Sequence, residues 1–197
     1  MRNVWIAIKV TIVFTALTGI VYPVAVYLLA HLMFPRQANG SLIVRNGSVV
    51  GSELIGQNFT SARYFHGRPS AAGDKGYDAT ASGGSNLGPT NKALIDVART
   101  RLKDLLAQNP GSQPSQVPID LVTASASGLD PHISVDAAEL QVPRVAGARG
   151  LPEEQLRGLI RTHTEGRWAG LFGEPRVNVL MLNLALDDLK LTQPASK

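Results

Sequence analysis

The sequence predicts a mixed α/β domain, carried outside the cytoplasm on one N-terminal transmembrane helix. Residues 10–30, VTIVFTALTGIVYPVAVYLLA, run for 21 positions without a charge. Behind them, short β-branched runs alternate with helix-period runs that bring their own capping residues. Gly-, Pro- and Ser-rich connections separate these runs, and no internal repeat is visible. The order reads as helices packed around a small sheet.

The chain divides into a cytoplasmic tail (1–9), a membrane helix (10–34) and an extracytoplasmic α/β domain (35–197). At about 1.5 Å of rise per residue, the uncharged run matches a hydrocarbon core of about 30 Å. Trp5 stands where an interfacial anchor belongs, and Pro23 predicts a kink in a helix that packs against neighbours. A cleaved leader would have an apolar run of about 7–15 residues and a small-residue cleavage site. Here the run is longer and ends in the bulky LLAHLMFPR, so an uncleaved anchor is expected. Arg2, Lys9 and the amino terminus place the short tail inside, while Arg36 and Arg45 weigh less strongly the other way.

Next comes SLIVRNGSVVGSELIGQNF, where Asn46-Gly47 between two apolar runs predicts a hairpin. Asn39, Asn46 and Asn58 head N-x-S/T triplets, which matter only in a host that glycosylates. Residues 59–90 lose all periodicity, yet Tyr64, Phe65 and Tyr77 argue for an ordered loop that docks on something. TNKALIDVARTRLKDLLAQNPG predicts a helix capped by Thr90 or Asn91 and stopped by Asn109-Pro110-Gly111. Its apolar face is Leu94, Val97, Ala98, Leu102, Leu105 and Leu106. IDLV predicts a short strand. Ser134 caps a helix over VDAAELQVPRVAGA, expected to kink or split at Pro143. LPEEQLRGLIRTHT predicts another helix, with Pro152 in its first turn and Glu153 and Glu154 favourable to its dipole. VNVLMLNLAL predicts the main core strand.

Several chemistries are disfavoured. The chain has no cysteine, which removes disulfides, thiolate zinc sites and cysteine nucleophiles. Its net charge is +4, from 19 basic and 15 acidic residues, without a clustered basic run, so nucleic acid is not an expected partner. The stretch DLVTASASGLDPHIS has the letters of a hydrolase. But ASASG lacks the first glycine of a nucleophile elbow, and His132 lies too near in sequence for the usual base. A simpler reading makes Gly128 and Asp130-Pro131 a turn and His132 a hydrogen-bonded loop residue. The four histidines, His31, His66, His132 and His163, have no metal-ligand spacing. SGGSNLG lacks the lysine of a phosphate loop. An anchored domain without a catalytic set suits an accessory subunit of a membrane complex. The alternatives are an anchored ligand-binding module, and an anchored hydrolase dependent on Ser125 or Ser127.

Several long motifs occur in order: TALTGIVYP, GSELIGQNFTSARYFHGRPSA, ASGGSNLGPTN, DLVTASASGLDPHIS, QVPRVAGARG and VNVLMLNLALD. With them the chain resembles, almost end to end, the C subunit of the bacterial potassium-transporting P-type ATPase, the Kdp complex. Pro143 departs from the helix former expected there. The resemblance implies an accessory subunit without catalytic residues of its own, in an inner-membrane complex that takes up potassium at the expense of ATP. It implies two partners, a channel-like potassium-binding subunit and a P-type ATPase subunit, besides the lipid around the span. It also implies a catalytic chaperone that raises the ATPase subunit's affinity for ATP. An outer domain reaches cytoplasmic ATP only through a conformational equilibrium, with ATP entering through the complex. The docking face expected on this basis joins the 59–91 loop (Tyr64, Phe65, Gly67, Arg68, Ser70, Ser82, Gly83, Asn86, Gly88, Asn91) to the 123–134 turn (Ser125, Ser127, Asp130, His132). Gln141 is the nucleotide-binding candidate should the topology be reversed.

Overall fold

The computed structural model describes residues 1–192. It separates into two compact units, residues 1–52 and residues from 53 onward.

The first unit opens with α1, a single helix of 32 residues from Arg2 to Met33, long and apolar enough to cross a membrane. None of its side chains is buried. The expected disturbance at Pro23 takes the form of a widened π turn over Leu17–Val21. Proline lacks an N–H and its ring collides with the carbonyl four residues back, here that of Gly19; a wider turn relieves both. After a single helical turn, Pro35–Ala38, come β1 (Leu42–Arg45) and β2 (Ser48–Ser52), paired antiparallel as Asn46-Gly47 predicts. Asn46 and Gly47 both take positive φ, 50° and 78°, as a two-residue turn matched to strand twist requires.

In the second unit, α2 (Lys92–Gln108) is capped by Asn91, whose side chain accepts from Ala93 N–H at 2.8 Å. Leu94, Ala98, Leu102, Leu105 and Leu106 are half-buried on one face, whereas Val97 is exposed. β3 (His132–Ser134) leads straight into α3 (Val135–Arg149), with Ser134 as the expected cap and Gly150 ending it at φ 67°. α4 (Glu153–Thr162) buries Leu156 and Ile160. β4 (Thr164–Glu165) and β5 (Arg176–Asn178) complete a three-stranded antiparallel sheet in the order β3-β5-β4, followed by α5 (Val179–Thr192). The core lies among this sheet, α3, α4 and α5, and includes Phe65, Ile133, Val142, Val145, Leu156, Ile160, Val177, Leu182 and Leu186.

Three expectations are corrected. Residues 177–186 are a core strand only as far as Asn178; the rest is helix. The buried positions Val179, Leu182, Asn183 and Leu186 fall at i, i+3, i+4 and i+7, a helical face. Asn178 turns the chain by accepting from Met181 N–H at 3.1 Å. IDLV is not a strand but a 3-10 turn over Ile119–Leu121, entered from Pro118. Finally, α3 is continuous through Pro143. Pro143 is exposed, so the gap in the backbone ladder falls on the outer side of the helix, while Ala138, Val142 and Val145 keep the other side packed.

One pair of buried amides ties the irregular loop to this core. Phe65 N–H donates to Asn183 Oδ1 at 2.8 Å, and Asn183 Nδ2 donates back to Phe65 O at 2.9 Å. Next along the chain, His66 N–H donates to Gln141 Oε1 at 2.8 Å, and Gln141 Nε2 donates to His66 O at 3.1 Å. Two side chains thus do for an extended segment what a neighbouring strand would do. Asn183→Ala leaves both peptide groups of Phe65 unpaired in the core and is expected to cost about 2–4 kcal/mol, measured by denaturant unfolding. A loss under about 0.5 kcal/mol, the size of an ordinary surface change, would show that these groups find other partners.

Candidate interaction face

The loop from Gly56 to Asn91 has little regular structure, so its backbone groups need other partners. Beyond the bonds to α3 and α5, a second set of connections reaches the turn at 125–132. Gly56 N–H donates to Leu129 O at 2.8 Å, and Gly83 N–H to Ser127 O at 2.9 Å. Ser70 is a hub: its hydroxyl donates to Gly128 O at 2.6 Å and accepts from Tyr77 N–H at 2.7 Å and Ala72 N–H at 3.1 Å. Ser82 donates to Ser127 O at 3.0 Å. Arg68 Nη1 meets Asp130 Oδ2 at 3.0 Å, while Asp130 Oδ1 accepts from His132 N–H at 3.0 Å.

This docking is close enough to demand glycine at particular places. A Cβ on Gly128, whose φ is +66°, would lie 2.6 Å from Gly83 O and 2.7 Å from Ala72 N. At Gly67 it would lie 2.5 Å from the Tyr77 hydroxyl. Tyr77 itself has a left-handed backbone, φ 58°, and is pinned at its far end by its hydroxyl donating to Arg68 O at 2.6 Å. Burial, helped by the negative charge of Asp130, pushes the Tyr77 phenol up to about 12. It therefore remains a donor at any physiological pH.

The structure sorts the expected docking residues into four groups. Phe65 is core, 0% exposed, and presents nothing to a partner. Tyr64 lies 4.7 Å beneath the Arg149 guanidinium and donates to Asp187 at 3.0 Å. Gly67, Arg68, Ser70, Gly83, Ser125, Asp130 and His132 are buried or half-buried within the loop–turn seam. Ser82, Asn86, Gly88, Asn91 and Ser127 form the exposed rim. Asn91 is occupied as a helix cap; Asn86 takes φ 52°, a conformation asparagine tolerates. A Cβ at Gly88 would meet open space.

The hydrolase letters are spent on structure. Ser127 Oγ accepts from Leu129 N–H at 3.1 Å and sits 3.5 Å from Ser125 Oγ. The His132 ring lies 3.4 Å from Asp130 and 3.7 Å from Glu165. No hydrogen bond joins either serine to a histidine among the described residues. Nor do the described residues contain a group of three potential metal ligands. Gln141 is 1% exposed, and its amide is committed to His66, Ala137 and Arg144. Sequence reasoning took Tyr77 only as a sign of loop order, without its hydrogen-bonding role, and did not single out Asn183. An aromatic flanked by glycine in a polar loop was the available signal for Tyr77; a polar residue inside the apolar run 177–186 was the signal for Asn183.

Beside the seam is a cleft of about 440 Å³ whose lining includes Arg68, Lys75, Tyr77, Arg101 and Asp104. The family model described as the K+-transporting ATPase c chain, KdpC, matches residues 4–188. The chain belongs to the KdpC family. Its relatives include the potassium-transporting ATPase KdpC subunit of Polaromonas naphthalenivorans, 59% identical over 184 residues, which is 93% of each chain. The KdpC subunit of Rhodopseudomonas palustris strain BisB18 is 55% identical over 96% of this chain and 100% of its own. That of Dechloromonas aromatica is 54% identical over 93% and 95% respectively. The KdpC match thus takes in both α1 and the loop–turn seam.

Acid should loosen the loop from two directions, at its clamp on α3 and at the seam. Burial, then the nearby Arg144 charge, lowers the His66 pKa below 6.5, so the folded state favours neutral imidazole. That contribution is present above 6.5 and is lost as pH falls toward the folded value. Burial alone would raise the Asp130 carboxyl, but hydrogen bonds from His132 and the Arg68 guanidinium outweigh it and hold it below 3.8. Its contribution is complete above 3.8 and disappears as pH falls through the folded value. The thermal midpoint is expected to fall in two stages on acidification, and His66→Gln should flatten only the first. An unchanged first stage in that variant would remove His66 from the account.

Proposed function

We propose that this chain is the accessory subunit of an ATP-driven potassium uptake complex, docking on a channel-like potassium-binding subunit and on a P-type ATPase subunit. The observation that carries this is that relatives matched over nearly their whole length are potassium-transporting ATPase KdpC subunits. α1 anchors the chain in the inner membrane, and the positive charges of Arg2 and Lys9 favour a cytoplasmic amino terminus, with the domain outside. The exposed rim of the loop–turn face, from Ser82 to Gly88 with Ser127, meets the partner, and the buried seam holds that rim in shape.

In this arrangement the chain acts as a catalytic chaperone without touching nucleotide. It binds one conformation of the assembly better than another, which changes ATP affinity across the membrane by linkage. Gln141 then belongs to the clamp on His66 rather than to ATP. Coupling of this kind typically changes affinity by about 5–150-fold, so the apparent KM of the complex for ATP should rise within that range when the subunit is omitted.

Two experiments test the reading. Ser115→Cys puts a lone thiol on an exposed turn of a cysteine-free chain. Labelling by an impermeant maleimide in intact spheroplasts is expected; labelling only after lysis would put the domain in the cytoplasm. Gly88→Arg adds bulk at an exposed site with open space, so stability should change by no more than about 0.5 kcal/mol. Co-purification with the partner subunits should nevertheless fall. A variant that still assembles fully would remove the rim from the interface.

A further inference from the structure

β4 and β5 form a hairpin whose connection, GRWAGLFGEP, reaches past the sheet. Its tip is built rather than loose. Trp168 and Phe172 exchange backbone hydrogen bonds at 2.8 and 3.0 Å, and Gly170 and Leu171 N–H donate to Arg167 O and Trp168 O, both at 3.1 Å. Ala169 and Gly170 take positive φ to close the turn, and the Trp168 and Phe172 rings stand 5.8 Å apart. Yet this ordered tip turns its apolar groups outward: Trp168 is 74% exposed, Leu171 78% and Phe172 63%. Three adjacent large apolar side chains held in water mark a contact surface, unlike scattered single ones.

We propose that this tip is a second membrane contact, seated in the boundary between lipid headgroups and acyl chains. The proposal rests on the reading that α1 anchors the chain in a bilayer. Its shape argues for lipid. Every residue of the connection is exposed, and a bilayer accepts a convex apolar shape without a matching pocket. The residue types agree, since tryptophan favours the interface and phenylalanine and leucine the acyl side. Charge agrees too. Arg167 pairs with Glu174 at 2.8 Å and Arg176 with Glu165 at 2.9 Å, so the flanks add no net charge for the tip to carry into the interface. The bilayer is also the apolar phase that the chain itself brings near. A contact too weak to hold a soluble protein on a membrane becomes effective when another part is already anchored there, because the second encounter is intramolecular. Depth would be modest, about 5–10 Å into the interface.

The chain has two tryptophans, so each is isolated by one conservative change. Full-length Trp5→Phe is reconstituted in phosphatidylethanolamine–phosphatidylglycerol vesicles carrying nitroxide lipids labelled high or low on the acyl chain. Trp168 should emit to the blue, resist iodide, and be quenched more by the shallow label than the deep one. Ready quenching by iodide without lipid quenching would overturn the proposal. Protection from both quenchers would also overturn it, assigning the tip to a protein contact such as a second copy of the chain. Trp168→Phe reports Trp5 alone, in the first turns of α1. Lipid quenching of Trp5 with a water-exposed Trp168 sinks the tip and spares the anchor. A Trp5 that no lipid label reaches overturns the anchorage and the tip proposal with it.

Discussion

Two buried amide side chains hold this domain's irregular half to its regular half. The peptide groups of Phe65 and His66 run extended through the core without a strand beside them. Asn183, from α5, closes a two-bond ring on Phe65, and Gln141, from α3, closes one on His66. An unpaired buried peptide group costs about 1–3 kcal/mol, so four such groups without partners would outweigh what burying Phe65 contributes. With them satisfied, Phe65 seats fully and the chain is fixed to both α3 and α5. The Arg144 guanidinium extends the ring by reaching Ala62 O, Tyr64 O and Gln141, which ties the loop entrance to the same helix.

From that fixed point the loop has to travel to α2 without strands or helices to absorb its polar groups. It does so by pairing with a second irregular segment. Serine hydroxyls, an arginine–aspartate pair and a tyrosine hydroxyl take the place of a ladder; glycine at 128 lets the backbones approach, and glycine at 67 leaves room for the Tyr77 hydroxyl. The same requirement explains why DLVTASASGLDPHIS looks like an active site. Short polar side chains that bond backbone groups locally are the residues turns select, and they are also the residues catalysis selects. Here the geometry assigns them to the turn: Asp130 accepts from His132 N–H, and Ser127 accepts from Leu129 N–H.

What was legible in the sequence was local. Asn46-Gly47 specified its hairpin, Asn91 and Ser134 their caps, and the 21-residue uncharged run its long apolar helix. Each signal depends on neighbours within a turn or two. The run from Val177 to Leu186 misled because an apolar stretch reads alike as buried strand or buried helix. Only the i, i+4 spacing of Val179 and Asn183 with Leu182 and Leu186 separates them, and that spacing is hidden when every position but Asn178 and Asn183 is apolar. Pro143 misled in the opposite sense, since its effect depends on which face of α3 meets water. The clamp itself was illegible: Phe65 and Asn183 lie 118 residues apart, and nothing in either neighbourhood announces the other.

These constraints bear on how such a subunit could act at a distance. A contact shifts a conformational equilibrium only by the difference in its affinity for the two states. Within the domain, the segment expected to meet partners is tied at Phe65 and His66, at Ser70, at Arg68 and again at Gly83. Moving it would break several hydrogen bonds and one ion pair together, so within the domain it behaves as one body. The two-state element is then better sought in the partners than in the seam. A rigid domain influences a transporter by fitting one arrangement of its partners and not another, and a preorganised rim makes that preference stronger because little ordering remains to be done on binding.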